Sequence, residues 1–126
     1  MINKKKQLNI FGNKLQICSK IPLTGFFRDG CCNSSGQDIG NHIICSKVTE
    51  EFLKFSLSKG NDLISKNSEV NFPGLVSGDK WCLCVDRWLE ALKDKCAPRV
   101  YLNSTNQNVL QKISLETLKR FALDRN

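Results

Sequence analysis

The sequence predicts an α+β fold: a small single domain in which helices pack on a short-stranded sheet as a two-layer sandwich. Three observations point there. The chain has 126 residues, one domain's worth, with 40% apolar and 25% charged residues. Short apolar runs that read as strands alternate with segments of helical apolar spacing. Each helical segment carries its own start or stop signal, and no repeat or proline-rich linker divides the chain. A chain of this length buries about two thirds of its unfolded surface, enough for one core without disulfides.

The elements follow in order. Residues 1–6, with Lys4-Lys5-Lys6, read as a disordered basic tail. Residues 7–17 read as a small hairpin, with Leu8, Ile10 and Phe11 before a Gly12-Asn13 turn and Leu15 and Ile17 after it. Residues 18–41 carry four glycines and Pro22 with little apolar periodicity, a long loop of the kind that usually has a function. His42 to Val48 reads as a strand. Thr49 then caps a helix: Glu50 and Glu51 sit where the dipole favours acids, Val48 and Leu53 form a hydrophobic staple, and Gly60 ends it. Residues 61–79 are a second loop, with turns at Pro73-Gly74 and Ser77-Gly78. Trp81 to Cys84 is a short strand, and a helix follows from Val85 to Lys95, with Val85, Trp88, Leu89 and Leu92 on one face. Pro98 forbids its continuation. Arg99 to Leu102 is a last strand. A turn or two of helix spans Gln107 to Gln111, and Ser114 caps Leu115 to Leu123.

The formal net charge is +7, but three of those charges sit in the N-terminal tail. The remaining basic residues are scattered lysines rather than arginines at phosphate forks, so nucleic acid is an unlikely partner. No segment approaches the ~20 apolar residues of a membrane span, and no apolar stretch follows the N-terminal lysines as in a signal peptide. The expected location is the cytoplasm. Its seven cysteines are then expected as free thiols or metal ligands.

Those cysteines carry the functional signal. Four fall in two tight pairs, Cys31-Cys32 in an Arg28-Asp29-Gly30 loop and Cys82/Cys84 after Asp79-Lys80-Trp81. On a strand, Cys82 and Cys84 share a face, with Trp81 and Leu83 turned to the core. Adjacent Cys31 and Cys32 diverge, one inward and one outward. The RDGCC loop and the WCLC strand are expected to meet in space as one cysteine-rich pocket. Its site candidates are Cys31, Cys32, Cys82, Cys84, His42, Arg28, Asp29 and Asp79. Two chemistries suit it. Zinc would draw ligands from Cys32, His42, Cys45, Cys82 and Cys84, although no zinc-finger spacing is present. Alternatively a thiol is the nucleophile and His42 its base, with Asp29, Asp38, Asp62 or Asp79 orienting the imidazole. Phosphate loops, HExxH and GxSxG are absent. The competing function is a non-catalytic interaction protein whose cysteines are structural.

Several stretches also resemble a known family. Pro22-Leu23-Thr24-Gly25-Phe26-Phe27-Arg28-Asp29-Gly30-Cys31-Cys32, Gly60-Asn61-Asp62-Leu63, Phe72-Pro73-Gly74-Leu75 and Gly78-Asp79-Lys80-Trp81-Cys82-Leu83-Cys84 with Arg87-Trp88 are similar to a bacterial family of uncharacterised proteins, a domain of unknown function. The similarity runs from about Leu8 to Ala122. It implies a compact two-layer α/β fold and no assigned activity, so no catalytic residue is carried over. The family pattern has histidines where this chain has Asn106 and Phe121, which gives His42 more weight.

Overall fold

The computed structural model describes residues 7–124, so the expected basic tail at residues 1–6 lies outside the described residues. Among those, a three-stranded antiparallel sheet and three helices form one mixed α+β domain: β1 His42–Lys47, α1 Glu50–Ser58, β2 Lys80–Cys84, α2 Val85–Lys93, β3 Arg99–Val100 and α3 Leu115–Arg120. The strand order is β2-β1-β3. β1 pairs along the whole of β2, with Cys45 opposite Cys82 and His42 opposite Cys84, and a bulge falls between His42 and Ile44.

Strand alternation gives the sheet two unlike faces. Ile44, Leu83 and Trp81 join the main core, where α2 contributes Val85, Trp88 and Ala91, and α1 contributes Phe52 and Leu53. α2 packs on β1 and β2, and α1 packs against α2. Trp88 is fully buried, donates its indole N–H to the Pro98 carbonyl at 3.1 Å and meets the Phe121 ring edge-on. The opposite face presents Cys45 and Cys82, and a loop covers it instead of a helix.

The helix starts follow their caps. Thr49 accepts from the Phe52 N–H and Ser114 from the Thr117 N–H. The helix ends differ from the sequence expectation. α2 stops at Lys93 because Lys95 enters the left-handed region at φ +62°. α3 stops at Arg120, and the chain beyond it peels off to pair with Val100 through Phe121 and Leu123. β3 is shorter than expected because the Asp124 carboxylate takes the N–H groups of Leu102 and Asn103, turning the chain away from the sheet.

The expected 7–17 hairpin reduces to one bridge between Leu8 and Lys14 around a turn held by the Asn9 side chain, which accepts from the N–H groups of Phe11 and Asn13. Its outer residues pair instead with the 103–107 segment.

Two stability predictions follow from this packing. Trp88→Phe leaves the Pro98 carbonyl unpaired in the core and should cost about 1–3 kcal/mol in urea unfolding. Ser46 is fully buried on the core face, and its hydroxyl has no hydrogen-bond partner among the described residues. Removing that hydroxyl relieves a desolvated polar group, so Ser46→Ala should be neutral or stabilising by up to ~1 kcal/mol. A loss above that would reveal a partner for the hydroxyl.

Candidate functional site

The RDGCC loop and the WCLC strand meet, as their composition suggests. They meet through sulfur: Cys32 is disulfide-bonded to Cys82 and Cys18 to Cys45, with Cα–Cα separations of 5.4 and 5.7 Å. The expectation that all seven cysteines are free thiols or metal ligands is therefore corrected for these four. The fold brings four sulfurs from the loop and the sheet to bonding distance, within the Cα range that disulfides need. All four cysteines are buried and pack together, with Tyr101 against them. Cys31, Cys84 and Cys96 remain free.

Hydrogen bonds fix the same cluster independently. The hook from Cys18 to Gly30 closes through the Gly30 carbonyl, which accepts from Cys18 and Ser19 N–H, and through the Gly30 N–H, which donates to Thr24. The buried Thr24 hydroxyl accepts from the Cys82 N–H, and the Thr105 hydroxyl accepts from the Cys45 N–H. Asn106 donates to the Cys32 carbonyl.

Beside this cluster lies a cleft of about 770 Å³. Many of its wall residues come from the segments that carry the family resemblance: Gly25, Phe26 and Arg28, then Asn61 to Leu63, Phe72, Trp81 to Cys84, and Arg87. Gly25 has φ +99°, and a Cβ there would run into the Cys31 carbonyl, so the loop requires glycine. Arg28 donates to the Gly25 carbonyl at 2.7 Å, and its guanidinium stands 5.1 Å from the Trp81 ring centroid.

The chemistry of the cleft centres on His42 and Cys84. They are cross-strand partners, so their side chains share one face, and both line the cleft. Cys84 is partly exposed and occupies the position just before α2, whose first-turn N–H groups have no side-chain cap. Behind His42 stands Asp38, its side chain only 2% exposed. One Asp38 oxygen lies 2.7 Å from His42 Nδ1 and the other accepts the His42 backbone N–H at 2.8 Å. An Asp38 oxygen accepts a proton carried on Nδ1, and in that neutral tautomer the Nε2 lone pair is available. Gly40 leaves room for the ring: a Cβ there would lie 2.6 Å from His42 Cε1. No hydrogen bond joins the Cys84 thiol to the imidazole among the described residues, so a side-chain rotation precedes any proton transfer.

The sequence candidates are thus divided. Arg28, His42, Cys82 and Cys84 line the cleft. Cys31, Cys32, Asp29 and Asp79 do not. Asp29 accepts from the Cys31 N–H and the Asn33 amide, and Asp79 from the Val76 N–H, so both shape turns. Arg28 turns to Trp81 rather than to Cys31. Burial first, and then the Asp29 charge, push the Cys31 thiol up from its ordinary value. The five residues read as zinc ligands are also separated: Cys32, Cys45 and Cys82 lie in the disulfide cluster, while His42 is held by Asp38 and Cys84 stands free. Of the four aspartates the sequence left open for the imidazole, the structure places Asp38 there. Sequence reading missed Cys18 as a member of the cluster, because it has no cysteine neighbour along the chain.

Alkylation checks this distribution. Unfolded without reductant, the chain should label at Cys31, Cys84 and Cys96 only, and unreduced digests should contain the 18–45 and 32–82 peptide pairs. In the folded protein, labelling of Cys31 should lag an unfolded cysteine near pH 8. A raised thiol pKa leaves less thiolate at that pH, and the lag should shrink as pH rises.

No curated protein matches this sequence. A family model described as "uncharacterized protein conserved in bacteria (DUF2237)" matches residues 8–122, which include every element of the fold and every wall of the cleft. The chain belongs to that family, a domain of unknown function.

Proposed function

We propose that the cleft is the site of a thiol-dependent reaction, with Cys84 as nucleophile, His42 as its base and Asp38 as the residue that positions the imidazole. The carrying observation is the cross-strand pairing of His42 with Cys84, backed by the buried Asp38 carboxylate. A nucleophile, a base within reach and a third group orienting the base are what such chemistry requires. His42 Nε2 takes the thiol proton as sulfur attacks an electrophilic carbonyl carbon. The proton then passes to the leaving group as the tetrahedral adduct collapses to a thioester. Water, deprotonated by the same imidazole, releases the acid and restores the thiol.

The walls suggest the substrate class. Arg28 and Lys66 face the cleft against one acid, Asp62, while Arg87, also in its wall, is paired with Glu90 at 3.3 Å. The Ser65 hydroxyl and the N–H groups of Ser65 and Ile64 hold the Asp62 carboxyl below its usual range, so it stays charged. The balance remains cationic, and Phe26, Phe72 and Trp81 add apolar wall. A small acidic carbonyl compound with an apolar portion fits. A cytoplasmic location suits a substrate of that kind. The alternative function, an interaction protein with structural cysteines, is favoured by the burial of five of the seven, but that burial does not involve Cys84.

The test is the rate at which Cys84 is alkylated, followed peptide by peptide. Iodoacetate should label Cys84 faster than iodoacetamide, relative to the ratio seen with a free thiol peptide. His42→Asn should slow Cys84 at neutral pH by about tenfold or more, as loss of a general base does. Asp38→Asn and Gly40→Ala, which misplace the ring, should alter its pH profile and leave Cys31 untouched. Equal rates for Cys84 in all four proteins would remove the dyad and leave the structural reading.

A further inference from the structure

We propose that the four-sulfur cluster of Cys18, Cys32, Cys45 and Cys82, once reduced, is a binding site for a soft divalent cation, zinc first among them. None of these residues belongs to the Cys84–His42–Asp38 set, so the inference stands apart from the proposed reaction.

Three observations carry it. First, the sulfurs of Cys18, Cys32 and Cys82 lie within 4.8 Å of one another although no bond joins Cys18 to the other two. The Cys45 sulfur lies outside that 4.8 Å group but is bonded to the Cys18 sulfur, which places it at the edge of the cluster. A tetrahedral tetrathiolate with Zn–S near 2.3 Å places its sulfurs about 3.8 Å apart. Opening the Cys32–Cys82 bond by under ~2 Å and drawing in Cys18 by about 1 Å gives three sulfurs of that spacing, and Cys45, released from Cys18, supplies the fourth by turning about its side-chain torsions. Second, the backbone of the cluster is held by Thr24, Thr105, Asn106 and the Gly30 carbonyl, not by sulfur alone. The four Cβ positions therefore have their own support when the S–S bonds open. Third, the cluster is dry: each of the four cysteines is at most 2% exposed. Four thiols left unligated there have little to pair with, whereas a metal satisfies all four at once. The Lys80 ammonium, 5.1 Å from the ring centroid of Tyr101, stands beside the cluster and offsets part of the tetrathiolate charge.

The step balances as follows. Two equivalents of a dithiol reductant supply four electrons and four protons, opening two disulfides to four thiols and becoming two disulfides themselves. Zn²⁺ then displaces four protons as it binds. A cytoplasm poised by thiol reductants supplies that class of co-reactant.

Elemental analysis tests this on the full chain, using zinc alone as probe. One sample is purified from a reducing cytoplasm without affinity-tag metal. A second is reduced in denaturant and refolded anaerobically with Zn²⁺, and a third is left oxidised. About one equivalent of zinc per chain should appear in a reduced sample and none in the oxidised one. Cobalt in place of zinc should give thiolate-to-metal charge-transfer absorption that reports the number of sulfurs. Cys18→Ser and Cys32→Ser should lose the metal, whereas Cys84→Ser and His42→Asn should keep it. Less than about a tenth of an equivalent in both reduced wild-type samples overturns the proposal, whatever the variants do. So does zinc that is retained by Cys18→Ser or lost from His42→Asn.

Discussion

The covalent and hydrogen-bonded junction between the 18–32 hook and the β1–β2 pair is the constraint on which the rest depends. A sheet of strands six, five and two residues long cannot be independently stable, and it needs both faces covered. Helices cover one face by ordinary apolar packing. The other is covered by irregular chain, which has no apolar stripe to dock. Cysteines at Cys45 and Cys82 solve this by offering bonds in place of area. The two bridges close loops with sequence separations of 27 and 50, which on a chain-entropy argument is worth roughly 4 kcal/mol each before any native strain. The threonine hydroxyls at 24 and 105 complete the junction by taking two cysteine N–H groups that a buried loop would otherwise leave unpaired.

That junction also fixes the cleft. The chain between Cys18 and Cys32 carries Gly25, Phe26 and Arg28, and pinning both ends places these residues against Trp81. The same pinned loop runs on to Asp38, which reaches the first residue of β1. The bulge after His42 lets the strand end re-aim its side chain while the register with β2 still sets His42 opposite Cys84. A loop without regular structure thus positions Asp38, and the end of the β1–β2 pair positions His42 and Cys84.

Much of the fold was legible in the sequence, and the parts that were not share a cause. Thr49, Ser114 and the apolar spacing of Val85, Trp88 and Leu92 are local signals, and they located α1, α2 and α3 to within a few residues. The short β3 and the truncated α3 were not legible because the deciding partners are distant: Asp124 acts on Leu102, and Val100 pairs with Phe121 and Leu123. The meeting of the RDGCC loop with the WCLC strand was legible from composition. Its form was not, since pairing Cys18 with Cys45 depends on the path of a loop that has no periodicity. Asp38 was one of four open aspartates for the same reason.

The three free cysteines show how the fold separates thiols by environment. Cys31 follows a disulfide-bonded loop beside Asp29, and its thiol is pushed up by burial and by that carboxylate. Cys96 is pushed up by burial, with Asp94 and Glu51 adding to it. Both shifts lower the share of thiolate, the reactive form, at neutral pH. Cys84 has a different setting: it alone of the three lines the cleft, faces an imidazole across the strand pair and opens a nine-residue helix. The two tight pairs thus each divide their labour. Cys32 and Cys82 bond to each other to hold the loop on the sheet, and of the two cysteines left over, only Cys84 is turned to the space where a ligand would sit.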